Sequence, residues 1–302
     1  MTQHHNSVLK ILVGLVFSLL FFLNCGESPI PGAITPTQVA RENISGAEKN
    51  NRQVVTPIRR TAAGIKSKES STAASGYVVA RRALVYLAVE LQYIVDHSPN
   101  AELVAGMATA YQRVGSAWLK LKNDPPEPDI ALQKMANAQN QINGAIAAGH
   151  LNPVKGGQFL EELDFIIDYV EDGATQNITC DGTSKSLWML REEGGLIYHC
   201  DHSIEVPANA LPQDSDMSIT IDEDDIVSVD FGPDTWFDQP VKVTISYKQA
   251  NLGGVDPANL TMAWFDEATS QWIAVNNVQV DQSEENVTAW VNHFTQYALS
   301  FH

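Results

Sequence analysis

Val241-Lys242-Val243-Thr244-Ile245-Ser246-Tyr247 alternates apolar and polar side chains without a break. In an extended strand successive side chains point to opposite faces. The stretch therefore sets Val241, Val243, Ile245 and Tyr247 on one face and Lys242, Thr244 and Ser246 on the other. A helix of the same residues would scatter the four apolar groups around its girth. Working outward, short runs of strand-forming residues return at 203–206, 217–221, 226–231, 260–265, 272–275, 286–291 and 297–301. Gly232-Pro233-Asp234, Gly253-Gly254 and Asp256-Pro257 punctuate them with residues that favour turns. Many short alternating strands with turn signals between them predict an antiparallel β-sandwich over 186–302.

Upstream, the apolar period lengthens to three or four residues. Tyr77, Ala80, Leu84, Leu87, Leu91 and Ile94 form one stripe, and Val104, Met107, Tyr111, Val114, Trp118 and Leu121 a second. Leu132, Met135, Ile142 and Ile146 form a third, and Leu160, Leu163, Ile167 and Val170 a fourth. Pro125, Pro126 and Pro128 break the second stripe from the third. Each stripe is the buried face of an amphipathic helix, so 72–175 is expected to be a four-helix bundle. No Glu-x-x-His pair of the kind that holds a di-iron centre stands in these stripes. The fold class expected is α+β in separate domains, a helical bundle followed by the sandwich.

The chain starts differently again. Residues 11–23 (ILVGLVFSLLFFL) are uncharged and apolar, follow Lys10, and stop at Asn24-Cys25. This is the layout of a secretory signal over 1–24, and it is shorter than the roughly 20 apolar residues of a membrane-spanning helix. Phe22-Leu23-Asn24-Cys25 resembles the lipobox of bacterial lipoproteins, although Asn24 stands where a small residue is usual. The resemblance implies lipidation of Cys25 and a membrane anchor. A plain secreted protein and an uncleaved signal anchor are the alternatives. Residues 25–71, rich in Pro, Ser, Thr, Asn and Gly, have no sustained hydrophobic period and are expected to form a flexible tether.

Three cysteines is an odd number for an exported chain. With Cys25 acylated, Cys180 and Cys200 remain to pair as a disulfide, worth roughly 3 kcal/mol for so short a loop. A zinc site from Cys180, His199, Cys200 and His202 is the rival reading. Adjacent residues of a strand face opposite ways, however, so His199 and Cys200 make a poor ligand pair.

The net charge of −17 is concentrated towards the end. From 201 to 302 there are 17 Asp and Glu against Lys242 and Lys248 alone, a local charge of −15. Such a surface repels phosphate backbones, which argues against a nucleic-acid partner.

The same region carries Gly194-Gly195-Leu196, then Ile204-Glu205-Val206-Pro207-Ala208-Asn209-Ala210-Leu211-Pro212, then Phe231-Gly232-Pro233-Asp234-Thr235-Trp236-Phe237-Asp238-Gln239-Pro240-Val241. These phrases resemble the ZU-five type domain of ankyrins, netrin receptors and tight-junction scaffolds, a β-sandwich also found in bacterial surface proteins. Asn209 and Thr235 replace glycines of that family's pattern. Asn tolerates a left-handed backbone better than most residues, whereas β-branched Thr does not. The resemblance covers the last third of the chain and implies a module for protein contacts rather than an enzyme. The animal partners of that family are cytoplasmic and do not carry over to an exported chain.

Two further constellations carry chemistry. Some ZU-five domains cut themselves at a tripeptide like His293-Phe294-Thr295. Thr295 would attack the preceding carbonyl and His293 would take its proton, breaking the bond between Phe294 and Thr295. Asp222, Asp224 and Asp225, within an acidic run, are the residue types that hold calcium, but without EF-hand spacing. A solvated loop is the plainer reading, and no cofactor other than calcium is expected. Trp236, Trp264, Trp272 and Trp290 are candidates for a carbohydrate- or protein-binding patch. No Gly-x-Ser-x-Gly elbow, His-Glu-x-x-His helix or phosphate-cradling loop is present. The expectation is thus a non-enzymatic, lipid-anchored envelope protein that contacts another protein or envelope component. A hydrolytic enzyme or self-cleaving domain is the rival.

Overall fold

Among the described residues, four helices come first: α1 (Val78–His97), α2 (Ala101–Lys122), α3 (Pro128–Ala147) and α4 (Pro153–Glu171). The computed structural model describes residues 53–60, 77–174, 180, 182–223, 225–248 and 250–301. The expected signal segment, Cys25, most of the tether and Asp224 lie outside them. Local chemistry explains where the helices begin. The Asn100 side chain accepts from the amides of Glu102 and Leu103, and that of Asn152 from Val154 and Lys155, satisfying amides that a helix start leaves unpaired. Pro128 and Pro153 open α3 and α4, where a missing amide proton costs nothing.

The helices close a ring of contacts, α1 on α2, α2 on α3, α3 on α4 and α4 back on α1. The first stripe is buried as expected at Ala80, Leu84, Leu87, Leu91 and Ile94, widened by Ala88 and Glu90. The fourth stripe is out of phase. Phe159, Leu163, Ile166, Tyr169 and Val170 are buried, whereas Leu160 and Ile167 are only half-buried. The reason is that α4 is packed on from two directions, by the helices α1 and α3 and by a strand of the following region.

Among its described residues that region holds eleven strands: β1 (Thr183–Met189), β2 (Gly195–His199), β3 (His202–Val206), β4 (Ser215–Ile221), β5 (Ser228–Gly232), β6 (Trp236–Ser246), β7 (Leu260–Asp266), β8 (Gln271–Ala274), β9 (Gln279–Asp281), β10 (Asn286–His293) and β11 (Gln296–Phe301). They form two antiparallel sheets, β1-β4-β5-β11-β7-β8 and β2-β3-β6-β10-β9. In β6, Val241, Val243 and Ile245 are buried while Lys242 and Thr244 are half-buried, as the opening alternation requires. Burial alternates likewise along β4 and β10, and the arrangement is sandwich-like, with the apolar faces turned inward. Strands β1, β2 and β9 and the first five residues of β6 were not among the expected runs.

Two turns demand special backbone. Cys200 and Asp201 join β2 to β3 with φ of 51° and 69°, the positive values that tight two-residue hairpins use. At Gly194 φ is 67°, and a Cβ there would stand 2.1 Å from the Val206 carbonyl oxygen, so only glycine fits.

The helices and sheets lie within one compact unit, Gly46–His302. Helix α1 lies on β2 and helix α4 on β1, so the bundle covers the side where the edge strands of the two sheets meet. Part of the expected tether is also built into this unit. Residues 53–60 run as a strap across the six-stranded sheet, with bridges from Val54 to Ile273, Pro57 to Ser300 and Arg59 to Ile226. The Ile58 amide donates to the Leu299 carbonyl at 2.7 Å, its own carbonyl accepts from Val227 at 2.8 Å, and its side chain is 4 % exposed. One buried apolar residue and a run of backbone bonds suffice to dock the segment, even though its composition reads as a linker.

Candidate functional site

The densest group of ionisable side chains lies in the seam between helices and sheets. Lys185 on β1 donates from Nζ to Glu90 on α1 and to Glu162 on α4, each at 2.7 Å. Glu90 Oε1 also accepts from the Tyr198 amide at 2.8 Å. Burial pushes the Glu90 carboxyl up to about 7; Lys185 opposes this and Glu162 adds to it. For Lys185 burial pulls downward, but the Glu162 and Glu90 carboxylates together hold the ammonium above its ordinary value. Nearby, Gln158 on α4 donates to Ser186 and Asp216 and accepts from the Trp188 amide, and buried Lys155 stands 3.8 Å from Glu193. These groups face one another, and their geometry fastens α1 and α4 to β1 and β2.

At the end of β2 the two cysteines form the disulfide Cys180–Cys200, with Cα atoms 5.9 Å apart. Both thiols of the rival zinc set are thereby used. His199 Nε2 pairs with the Thr183 hydroxyl at 2.8 Å, and His202 Nδ1 accepts from the Ser246 amide at 3.3 Å. Burial first, with Lys185 adding, pulls His199 down to about 4. Burial also pulls His202 down to about 3, so both rings are neutral at pH 7. Asp201 gathers Tyr86, which donates to it, Arg82 at 3.7 Å and Lys248 at 3.5 Å.

Of the calcium candidates, Asp222 accepts from Gln296 at 2.8 Å, Asp225 is exposed and its carbonyl accepts from the Arg60 amide, and Asp224 lies outside the described residues. Among the described residues no three His, Cys, Asp or Glu side chains converge as a metal site. At the tripeptide, Phe294 is buried, its amide donates to the Thr235 carbonyl at 3.0 Å, and Thr295 Oγ1 donates to the Phe265 carbonyl at 3.4 Å. None of the three residues has a positive φ or a cis peptide bond. The His293 ring packs against two tryptophans, Trp236 and Trp264.

Of those two tryptophans, Trp236 is exposed and Trp264 half-buried. Trp236 opens β6 opposite His293 of β10, beside an irregularity in register between Val291 and His293. Its ring centroid lies 4.7 Å from that of His293 and is tilted by 48°. Trp264, from β7 of the other sheet, meets the same imidazole edge-on at 5.1 Å. Below, Tyr297 donates to the His293 carbonyl at 2.7 Å, and Phe231, Phe237 and Phe294 pack edge-to-face and tilted. The aromatic floor holds the rim rigid, while Trp236 remains 71 % exposed. The other two candidates are not part of this group. Trp272 packs on Phe265 beside the strap, and Trp290 lies opposite Lys242, whose ammonium pairs with Glu205 at 2.9 Å. Strand alternation could identify each tryptophan as half-exposed. It could not show that residues 236, 264 and 293, from two sheets, share one surface. Sequence reasoning also missed the Glu90–Lys185–Glu162 cluster, whose only signal was a lone Glu on an apolar helical stripe.

No protein-family model matches this chain, and no curated protein matches it.

Proposed function

We propose that this chain is an exported, envelope-tethered binding protein whose two-sheet region meets a macromolecular partner through the face around Trp236. One observation carries the reading: a large indole, 71 % exposed, stands on a rigid aromatic floor instead of in the core. Exposed aromatics of this kind supply contact area at little entropic cost and are enriched at binding hot spots. The disulfide fits an oxidising compartment outside the cytoplasm. The apolar 11–23 segment and Cys25 supply the export signal and the anchor of the proposal. Among the described residues no helix is long and apolar enough to cross a membrane. The likeness to ZU-five type domains supports protein contact as the mode of action, with no catalytic step and no resident cofactor.

The test has two arms. Cys25→Ser is expected to move the protein from the membrane fraction to the soluble fraction, and persistence in the membrane would remove the anchor. Trp236→Ala in the full-length chain is expected to weaken retention on isolated cell envelopes by about tenfold, the scale of a tryptophan hot spot. Unchanged retention would mean that the partner binds elsewhere.

A further inference from the structure

The strap ends at a cleft that none of the preceding roles explains. Arg60 from the strap, Cys200, Asp201 and His202 from the β2–β3 turn, Ser228 from β5 and Lys248 after β6 line it. Its enclosed space is about 20 Å³, enough for a single water-sized atom with the mouth open above. We propose that this cleft receives one oxygen of a small oxyanion, a phosphate or a carboxylate, and that the bound anion ties the strap to the sheets.

The donor and acceptor inventory carries the proposal. Since His202 Nδ1 accepts the Ser246 amide, the neutral ring holds its proton on Nε2 and is a donor there. Lys248 is an ammonium with three donors. Arg60 is a guanidinium held by its Nε on the Ile226 carbonyl at 2.9 Å. Ser228 is 1 % exposed, and its hydroxyl has no hydrogen-bond partner among the described residues. The one carboxylate of the lining, Asp201, is already engaged by Tyr86, Arg82 and Lys248. A lining dominated by donors suits an occupant that only accepts, and a water must donate as well. Charge points the same way. Lys248 is one of only two cations between 201 and 302, and the strap brings a third cationic side chain, Arg60, to stand with it at the cleft.

Thermal unfolding and amide exchange of the full-length chain test this, with potassium phosphate, acetate and chloride compared at one ionic strength. Phosphate or acetate is expected to raise the Tm above its value in chloride and to slow exchange at Ile58 and Arg60, and the better of the two names the oxyanion. Lys248→Met and Arg60→Gln, each checked for native circular dichroism, are expected to weaken the response by about tenfold, as loss of one charge-assisted hydrogen bond does. Equal behaviour in all three salts overturns the proposal. So does a folded Lys248→Met chain that keeps the full response.

Discussion

The helical layer and the sheet region solve the same burial problem with different chemistry. Helices α2 and α3 bury Ala110, Ala117, Ala131, Ala138, Met107 and Met135, small or unbranched side chains that lose little rotamer freedom in a helix. The sheets bury Val, Ile and aromatic side chains, and their strand order is far from sequential, with β11 between β5 and β7. One half is thus built of local contacts and the other of distant ones. At the seam between them, Lys185 of the sheet joins Glu90 and Glu162 of the helices. The helical and sheet cores meet as one unit across a charged joint, which makes that joint the place to separate them.

Lys185→Met breaks the joint most severely. It leaves two carboxylates facing each other without a cation and is expected to cost about 3–5 kcal/mol in urea unfolding. A loss below about 1 kcal/mol would show that apolar contact alone holds the helices on the sheets. pH sharpens the same point. The Glu90 carboxyl is raised from 4.5 to about 7 in the folded state, so the fold binds this proton more tightly than the unfolded chain does. Its stabilising contribution is complete below about pH 4.5 and is lost as pH rises through about 7. Glu90→Gln should remove that slope, of order 1–3 kcal/mol, from a urea series between pH 5 and 8. An unaltered slope would assign the pH dependence to other groups.

The disulfide probes the sheet side by itself. Cys180 and Cys200 close a loop of 20 residues, and Cys200→Ser is expected to cost about 3 kcal/mol. Hydrogen exchange should show the loss in β2 and β3 before α2 and α3. The smallest effect is expected at Asn209, whose φ is 63°. Asn209→Gly should change stability by less than about 0.5 kcal/mol, whereas Asn209→Val, β-branched in a left-handed conformation, should cost about 1–2 kcal/mol in thermal unfolding.

Much of this was legible in the chain. The alternation at 241–247 and the stripes at 77–94 and 104–121 require only that each segment bury one face, a condition written in local spacing. The pairing of Cys180 with Cys200 and the left-handed tolerance needed at Asn209 were legible for the same reason, since both depend on residue chemistry at a single place. The strap was not legible. Val54, Val55 and Ile58 are too few and too interrupted by Thr56 and Pro57 to declare a strand, and only backbone bonds with Leu299, Trp272 and Val227 dock them on the sheet through isolated bridges. The phase of α4 was missed because a helix packed on from two directions has no single stripe.

The sequence by itself determined that four helices precede a region of strands, where most of those strands run, which face of the first helix and of β6 is apolar, and that the acidity belongs to residues 201–302. The tertiary structure alone decided the neighbours. It placed Lys185 between Glu90 and Glu162, Trp236 and Trp264 against the same His293 ring, and Arg60 and Lys248 in the lining of one cleft. The physical reason is that local periodicity is set by bonds along the chain. The order of strands in a sheet and the meeting of a helix with a strand are set by burial and pairing between residues up to about a hundred positions or more apart, as with Glu90 and Lys185, separated by 95.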